Sequence, residues 1–171
     1  MKITEPLEIE RKYLIRKPSD REIADLDCRS ITEITQVYLT ETKEGVSRRI
    51  RKRGNDREGY LYYYTEKEHI SSSVRIERES IIPEEEFASL MEEADPKRHP
   101  IMKTRYCFMF EDRMYEMDIF PFSEEYAFLE IELEDPEDIP KKLPPLDIIR
   151  DVTEEKKFTN KAIARTGRMP V

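Results

Sequence analysis

Glycine is scarce in this chain. There are four among 171 residues, at positions 45, 54, 59 and 167. They form no phosphate-cradling loop of the Walker or dinucleotide type, so any phosphate bound here must be held by side chains. Histidine is scarcer still. His69 and His99 stand alone, which removes the paired-histidine zinc hydrolases. No G-x-S-x-G segment occurs to carry a nucleophilic serine. Cys28 and Cys107 are too few and too scattered for a disulfide framework or a zinc site, and they fit a reducing compartment. Long apolar runs are missing too. None reaches membrane-spanning length and no apolar targeting segment follows Met1, so a cytoplasmic protein with no membrane partner is expected.

Charge is what the chain has in abundance. Charged residues make up 40% and apolar residues 37%, against a usual charged fraction of about 25%. The net charge of -8 disfavours nucleic acid as a partner, while the 30 Lys and Arg leave room for a local basic pocket. The length fits one domain, 1–171, with a real core. Alternating segments that carry Tyr and Phe argue against disorder.

The pattern along the chain is mainly that of strands. In the segment at 6–15, Glu8, Glu10 and Lys12 share one face, and Leu7, Ile9 and Tyr13 lie on the other with Arg11. Two carboxylates two residues apart on a strand are separated by about 7 Å, and can share a hard cation. Taken alone, the segment reads equally as an edge strand with a solvated charged face. Pro18, Ser19 and Asp20 then signal a helix start. Further strands are expected at 31–40, 46–53, 60–67, 73–82, 101–110, 113–120 and 126–134. A helix opens at Pro83 with acids in its first turn and a Phe87, Leu90, Met91 stripe. A proline-rich stretch crosses the surface, and a C-terminal helical segment packs through Phe158 and Ile163.

Strand after strand repeats the first arrangement. Same-face sets are Arg49 with Arg51 and Arg53, Lys67, Arg75 with Glu77 and Glu79, Lys103 with Arg105, Glu116 with Asp118, and Glu130 with Glu132. Eight antiparallel strands close readily into a barrel, which removes the exposed edges. The expected fold is therefore α+β but predominantly β: an eight-stranded antiparallel closed barrel with a charged lumen and a few flanking helices. Buried charges must be paired or bound. Arg and Lys suit phosphate oxygens, and the carboxylates suit Mg2+ or Mn2+. A polyphosphate carrying a divalent cation satisfies both sets.

The ordered ensemble resembles the CYTH family, the triphosphate tunnel metalloenzymes. The matching segments are EIERK at 8–12, QVYL at 36–39, RRIRKR at 48–53, YYYTEK at 62–67, RIERE at 75–79, KTRY at 103–106, YEMD at 115–118, EIE at 130–132 and DVTEEKKFTN at 151–160. The resemblance implies a divalent-metal-dependent hydrolase of a small triphosphate, most simply inorganic tripolyphosphate. Two other readings are a class IV-type adenylyl cyclase acting on ATP, and a non-catalytic polyphosphate-binding module. Some members are dimers, so a homodimer is within expectation.

By the same resemblance Glu8, Glu10, Glu130 and Glu132 hold one cation. Glu77, Glu79 and Asp118 either hold a second cation, position water or neutralise tunnel arginines. Arg49, Arg51, Lys67, Arg75, Lys103 and Arg105 bind phosphate oxygens, and Lys12 touches phosphate or orients the nucleophile. Lys157 supplies the tail's basic contact, with Lys156 beside it as the alternative. Glu116 and Arg78 read as surface charges, and Tyr62, Tyr63 and Tyr64 as packing or rim residues.

Overall fold

The computed structural model describes residues 7–171. The first six residues of the expected domain, including Pro6 at the head of the opening strand segment, lie outside the described residues. Strands β1 (Leu7–Arg16), β2 (Asp27–Leu39), β3 (Val46–Asn55), β4 (Gly59–His69), β5 (Val74–Ile82), β6 (Ile101–Phe110), β7 (Arg113–Ile119) and β8 (Tyr126–Glu132) form one antiparallel sheet. Its order is β5-β4-β3-β2-β6-β7-β8-β1, and β1 pairs back onto β5 to close the barrel. Strand β1 serves two partners on that side. Leu7–Ile9 pair with β5, and Tyr13–Ile15 pair with the short β9 (Ile148–Asp151). The tail thereby enters the wall where β1 and β5 separate. No helix among the described residues is long and apolar enough to cross a membrane.

Local chemistry accounts for the connections. Helix α1 (Asp20–Ala24) starts at Ser19, whose side chain caps the Glu22 amide while the Glu22 carboxylate accepts from the Ser19 amide; each end satisfies a helix-start donor. Helix α2 (Glu84–Leu90) carries Glu84, Glu85 and Glu86 at its positive end. It tightens into a 3-10 turn at Met91–Glu93, so the expected helix ends earlier than its apolar stripe. Between β3 and β4, Gly54 has φ 149°, and a Cβ there would lie 2.0 Å from the Gly59 carbonyl oxygen. Only glycine fits. The β6–β7 turn uses Glu111 and Asp112, both at positive φ, the conformation a two-residue hairpin requires.

Apolar side chains pack mostly outside the barrel. One cluster, including Ile9, Tyr13, Phe108, Tyr115, Met117 and Leu129, is covered by α1 and by Leu143, Leu146 and Ile148 of the proline-rich return. Another, Val37, Leu39, Ile50 and Ile82, lies under Phe87 and Leu90 of α2.

The third cluster departs from a lumen that is polar throughout. Following period two inward, each charged row on β1, β6, β7 and β8 ends in an apolar residue at the same end of the barrel. These residues are Leu14, Ile101, Phe120 and Phe128; with Tyr38 of β2 they meet Val152, Phe158, Ile163 and Ala164 of the tail. Phe158 is fully buried and stands edge-on to Phe128 at 6.1 Å between ring centres, a favourable aromatic geometry. It begins the last stretch before α3 (Asn160–Thr166), which Thr159 caps through the Ala162 amide. Tail and barrel thus share one dry plug. Phe158→Ala is expected to destabilise the protein by about 3–5 kcal/mol, read as a lower midpoint in urea unfolding. A change below about 1 kcal/mol would mean that the plug is not part of the cooperative fold.

Candidate active site

Above the plug the barrel encloses a cavity of about 250 Å3. Among the described residues its wall carries nine Lys and Arg side chains and eight Glu. Total charge is therefore close to balanced, and the distribution of charge decides the chemistry. Every expected site residue lines this cavity except Asp118 and Lys157.

Strand register places the side chains. Glu8 faces Arg75 across β1 and β5. Glu10 faces Glu132, and Lys12 faces Glu130, across β1 and β8. Arg49, Arg51 and Arg53 follow one another along β3 opposite Tyr38, Gln36 and Ile34 of β2. Ion pairs then stitch the wall together. Lys67 donates to Glu8 at 2.8 Å, and Arg75 donates to Glu10. Arg51 reaches Glu79 at 2.6 Å, and the same oxygen accepts from Thr65 at 2.9 Å. Glu77 is held more loosely, 3.8 Å from Arg49 and 3.7 Å from Lys67. Lys12 stands 3.5 Å from Glu130, with its ammonium 4.0 Å above the Phe128 ring. The plug thus also fixes the innermost cation.

Two placements differ from expectation. Asp118 is 1% exposed; it points inward but is closed over by Lys103 and Arg105. One of its oxygens accepts from Lys103 at 2.6 Å and from Arg105 at 2.9 Å, the other from Arg105 at 2.7 Å. Burial opposes its charge, but the two cations hold its carboxyl well below the usual range. Its oxygens are engaged by Lys103 and Arg105, the neutralising arrangement that stood beside metal binding among its expected roles. Lys157 is exposed, with its ammonium 5.2 Å from the Phe158 ring, and the basic tail residue that the described residues place on the cavity wall is Lys161.

Other wall residues were not foreseen: Tyr38, Ser47, His69, Thr153, Glu155, Asn160 and Lys161. Those of the tail are brought in by tertiary threading, which leaves no periodic signal. Glu116 is different. It shares the inward face with Asp118, so its parity already marked it for the lumen, where it pairs with Arg105. Arg53, at the end of its row, also lines the wall.

Charge is separated within the lumen. Arg49 and Arg51 are 8% and 5% exposed, and the Nε of each is buried without a hydrogen-bond partner among the described residues. Burial, then the neighbouring Arg49, pull the Arg51 pKa down to about 10 although Glu79 opposes them. Burial and Arg105 bring Lys103 down to about 8 against the pull of Asp118, so it remains charged at neutral pH. On the opposite side, partial burial and repulsion from Glu116, Glu8, Glu77 and Glu10 push the Glu132 carboxyl up to about 7. No three ligating side chains are already drawn together as a metal cage among the described residues. The carboxylates of β1 and β8 instead lean on Lys67, Arg75 and Lys12.

Sequence and fold comparisons agree with this geometry. The chain is 30% identical to the inorganic triphosphatase of Nitrosomonas europaea over 159 residues, 92% of this chain and 96% of that protein. It matches the crystal structure of an inorganic triphosphatase with a TM-score of 0.60 at 28% identity, covering 92% of this chain and 94% of the other. A protein from Vibrio parahaemolyticus proposed to be an adenylate cyclase shares the fold, with a TM-score of 0.51 at 14% identity over 75% of this chain and 78% of its own. No family model matches the chain. On the full-length relationship to the Nitrosomonas enzyme, the chain belongs to the CYTH family of triphosphate tunnel proteins.

The raised Glu132 value gives a pH signature. A carboxyl raised from 4.5 to about 7 on folding keeps its proton in the native state after the unfolded chain has lost it. Its contribution to stability therefore falls as pH rises across that window. Carboxyl NMR titration in chelator should put the Glu132 midpoint near 7, and Glu116→Gln should lower it. A midpoint at the ordinary carboxylate position in the parent would contradict the crowding.

Proposed function

We propose that the barrel hydrolyses the phosphoanhydride bond of inorganic tripolyphosphate or a close organic triphosphate, with a divalent cation as cofactor. The observation that carries this reading is the pair of buried guanidinium groups at Arg49 and Arg51, whose Nε donors lack partners among the described residues. Buried donors of this kind are rarely left unsatisfied, and a row of planar cations matches phosphate oxygens in charge and geometry. The relative's activity as an inorganic triphosphatase supports the same substrate.

A divalent cation fits the acidic side. The donors are carboxylates on adjacent register positions of β1 and β8, the oxygen set that Mg2+ and Mn2+ take. Mutual repulsion around Glu132 is the strain such an ion relieves. Glu8, Glu10, Glu130 and Glu132 would hold it. When bound, it supplies positive charge against the phosphate oxygens and acidifies nearby water.

The chain's own residues do the rest. Arg49, Arg51, Lys103 and Arg105 bind and orient the phosphates and stabilise charge gathering on them as the bond breaks. Asp118 fixes the direction of Lys103 and Arg105, and Glu79 with Thr65 fixes Arg51. Glu77, which meets Glu8 and makes only long contacts to Arg49 and Lys67, would position the attacking water and accept its proton. Water oxygen bonds to the terminal phosphorus, the bridging P–O bond breaks, and orthophosphate and pyrophosphate leave. Lys12, held between Glu130 and the Phe128 ring, would touch phosphate or orient the nucleophile. No protein nucleophile is needed.

Phosphate release from tripolyphosphate with Mg2+ or Mn2+ should be abolished by chelator and by Glu10→Gln, with far-UV circular dichroism unchanged. Cyclic AMP formation from ATP without phosphate release from tripolyphosphate would overturn the reading. Arg51→Ala should weaken binding of tripolyphosphate, measured calorimetrically in chelator, by roughly ten- to a hundredfold, the worth of a charged hydrogen bond. Equal affinity of parent and variant would remove Arg51 from the substrate site.

A further inference from the structure

The dry plug closes only one side of the barrel end. The inward rows of β1, β6, β7 and β8 turn apolar there. Those of β3, β4 and β5 stay polar to the last position, through Ser47, Lys67 with His69, and Arg75. On that side a second cavity of about 550 Å3 lies between the β4–β5 turn and the tail. It shares His69, Arg75, Thr153, Thr159 and Lys161 with the lumen wall, so the two spaces adjoin.

Its chemistry is that of a polyanion site. Arg98, Lys156 and Arg165 add to the shared cations, against the single carboxylate Glu154. Arg75 is committed to Glu8 and Glu10, Arg98 to Asp95 and to the Lys161 carbonyl, and Lys161 to Glu41. Lys156 and Arg165 make no ion pair among the described residues. Ser72 also lines this space, as does Thr159, whose hydroxyl is engaged by the Lys156 carbonyl and the Ala162 amide. No Phe, Tyr or Trp lines it among the described residues, which leaves a nucleobase without the aromatic platform that usually holds one. A phosphate chain needs only cations and hydroxyl donors.

We propose that this cavity is a subsite for phosphates beyond the third, so that the protein accepts linear polyphosphates longer than tripolyphosphate. The inference rests on the lumen reading above, because the chain must continue out of the lumen. Its test is separable from that reading because it measures binding in chelator rather than turnover. Two substitutions place negative charge on opposite walls of the second cavity and leave the lumen wall unaltered: Ser72→Glu on the β4–β5 turn and Arg165→Glu on α3. Calorimetry with tripolyphosphate and with a linear octaphosphate is the measurement.

The parent should bind octaphosphate more tightly. Each variant should lose about tenfold of octaphosphate affinity through added repulsion in a partly solvated site, with tripolyphosphate affinity unchanged. Unchanged tripolyphosphate binding also certifies the fold of each variant. Equal weakening of both ligands, or no weakening of either, overturns the subsite. If tripolyphosphate fails to bind even the parent, the lumen reading falls and the subsite falls with it, an outcome distinct from tight tripolyphosphate binding without selective loss of octaphosphate, which overturns the subsite alone.

Discussion

Arginine and glutamate sharing one enclosed space is the constraint on which this structure depends. Moving so many charges out of water is costly unless each finds a counter-charge. The barrel meets most of that need internally, by setting cations and carboxylates on neighbouring strands in matching register, as with Arg75 beside Glu8 and Glu10. The match is incomplete in two places of opposite sign. Around Arg51 the positive charges crowd, and around Glu132 the negative charges do. A phosphate chain answers the first and a cation the second. On the reading proposed above, a metal-bound phosphate chain would meet both needs at once, which is why the two halves of the site belong in one lumen.

Keeping such a space from collapsing is the task of the apolar residues, and they are placed accordingly. Two clusters pack against the outside of the wall. The third sits across the end of the lumen, where Phe128 supports the Lys12 ammonium and Phe158 ties the tail to the barrel. Folding of the tail and placement of the innermost cation are consequences of the same contacts. Asp118 plays a parallel part within the wall: its two bound cations cannot swing away without leaving a buried carboxylate unpaired, a change that typically costs about 3–5 kcal/mol.

Most of the barrel was legible because period-two alternation is strong when one face is charged and the other apolar. Glu10, Lys12 and Glu130, Glu132 needed only counting to be placed inward. The signal stopped where alternation stopped. Strand β9 is four residues long and follows a proline-rich return, too short to carry a pattern. β2 begins at Asp27 behind a register shift between Cys28 and Ser30, which interrupts the period and hid its first turn of pairing. Asp118 and Glu116 share the inward face, so parity could not say that one is closed over while the other borders the cavity; the proximity of both Lys103 and Arg105 decides that. Thr153, Asn160 and Lys161 reach the site through the path of the tail, which depends on Phe158 finding its slot rather than on spacing.

The most direct measurement is a crystal structure of the protein with Mn2+ and a non-hydrolysable tripolyphosphate analogue. The account predicts phosphates along Arg49, Arg51 and Arg105 inside the barrel, and an anomalous Mn2+ peak in contact with the phosphates and with carboxylates among Glu8, Glu10, Glu130 and Glu132. Phosphates and metal bound on the outer surface, with the lumen holding only water, would contradict it.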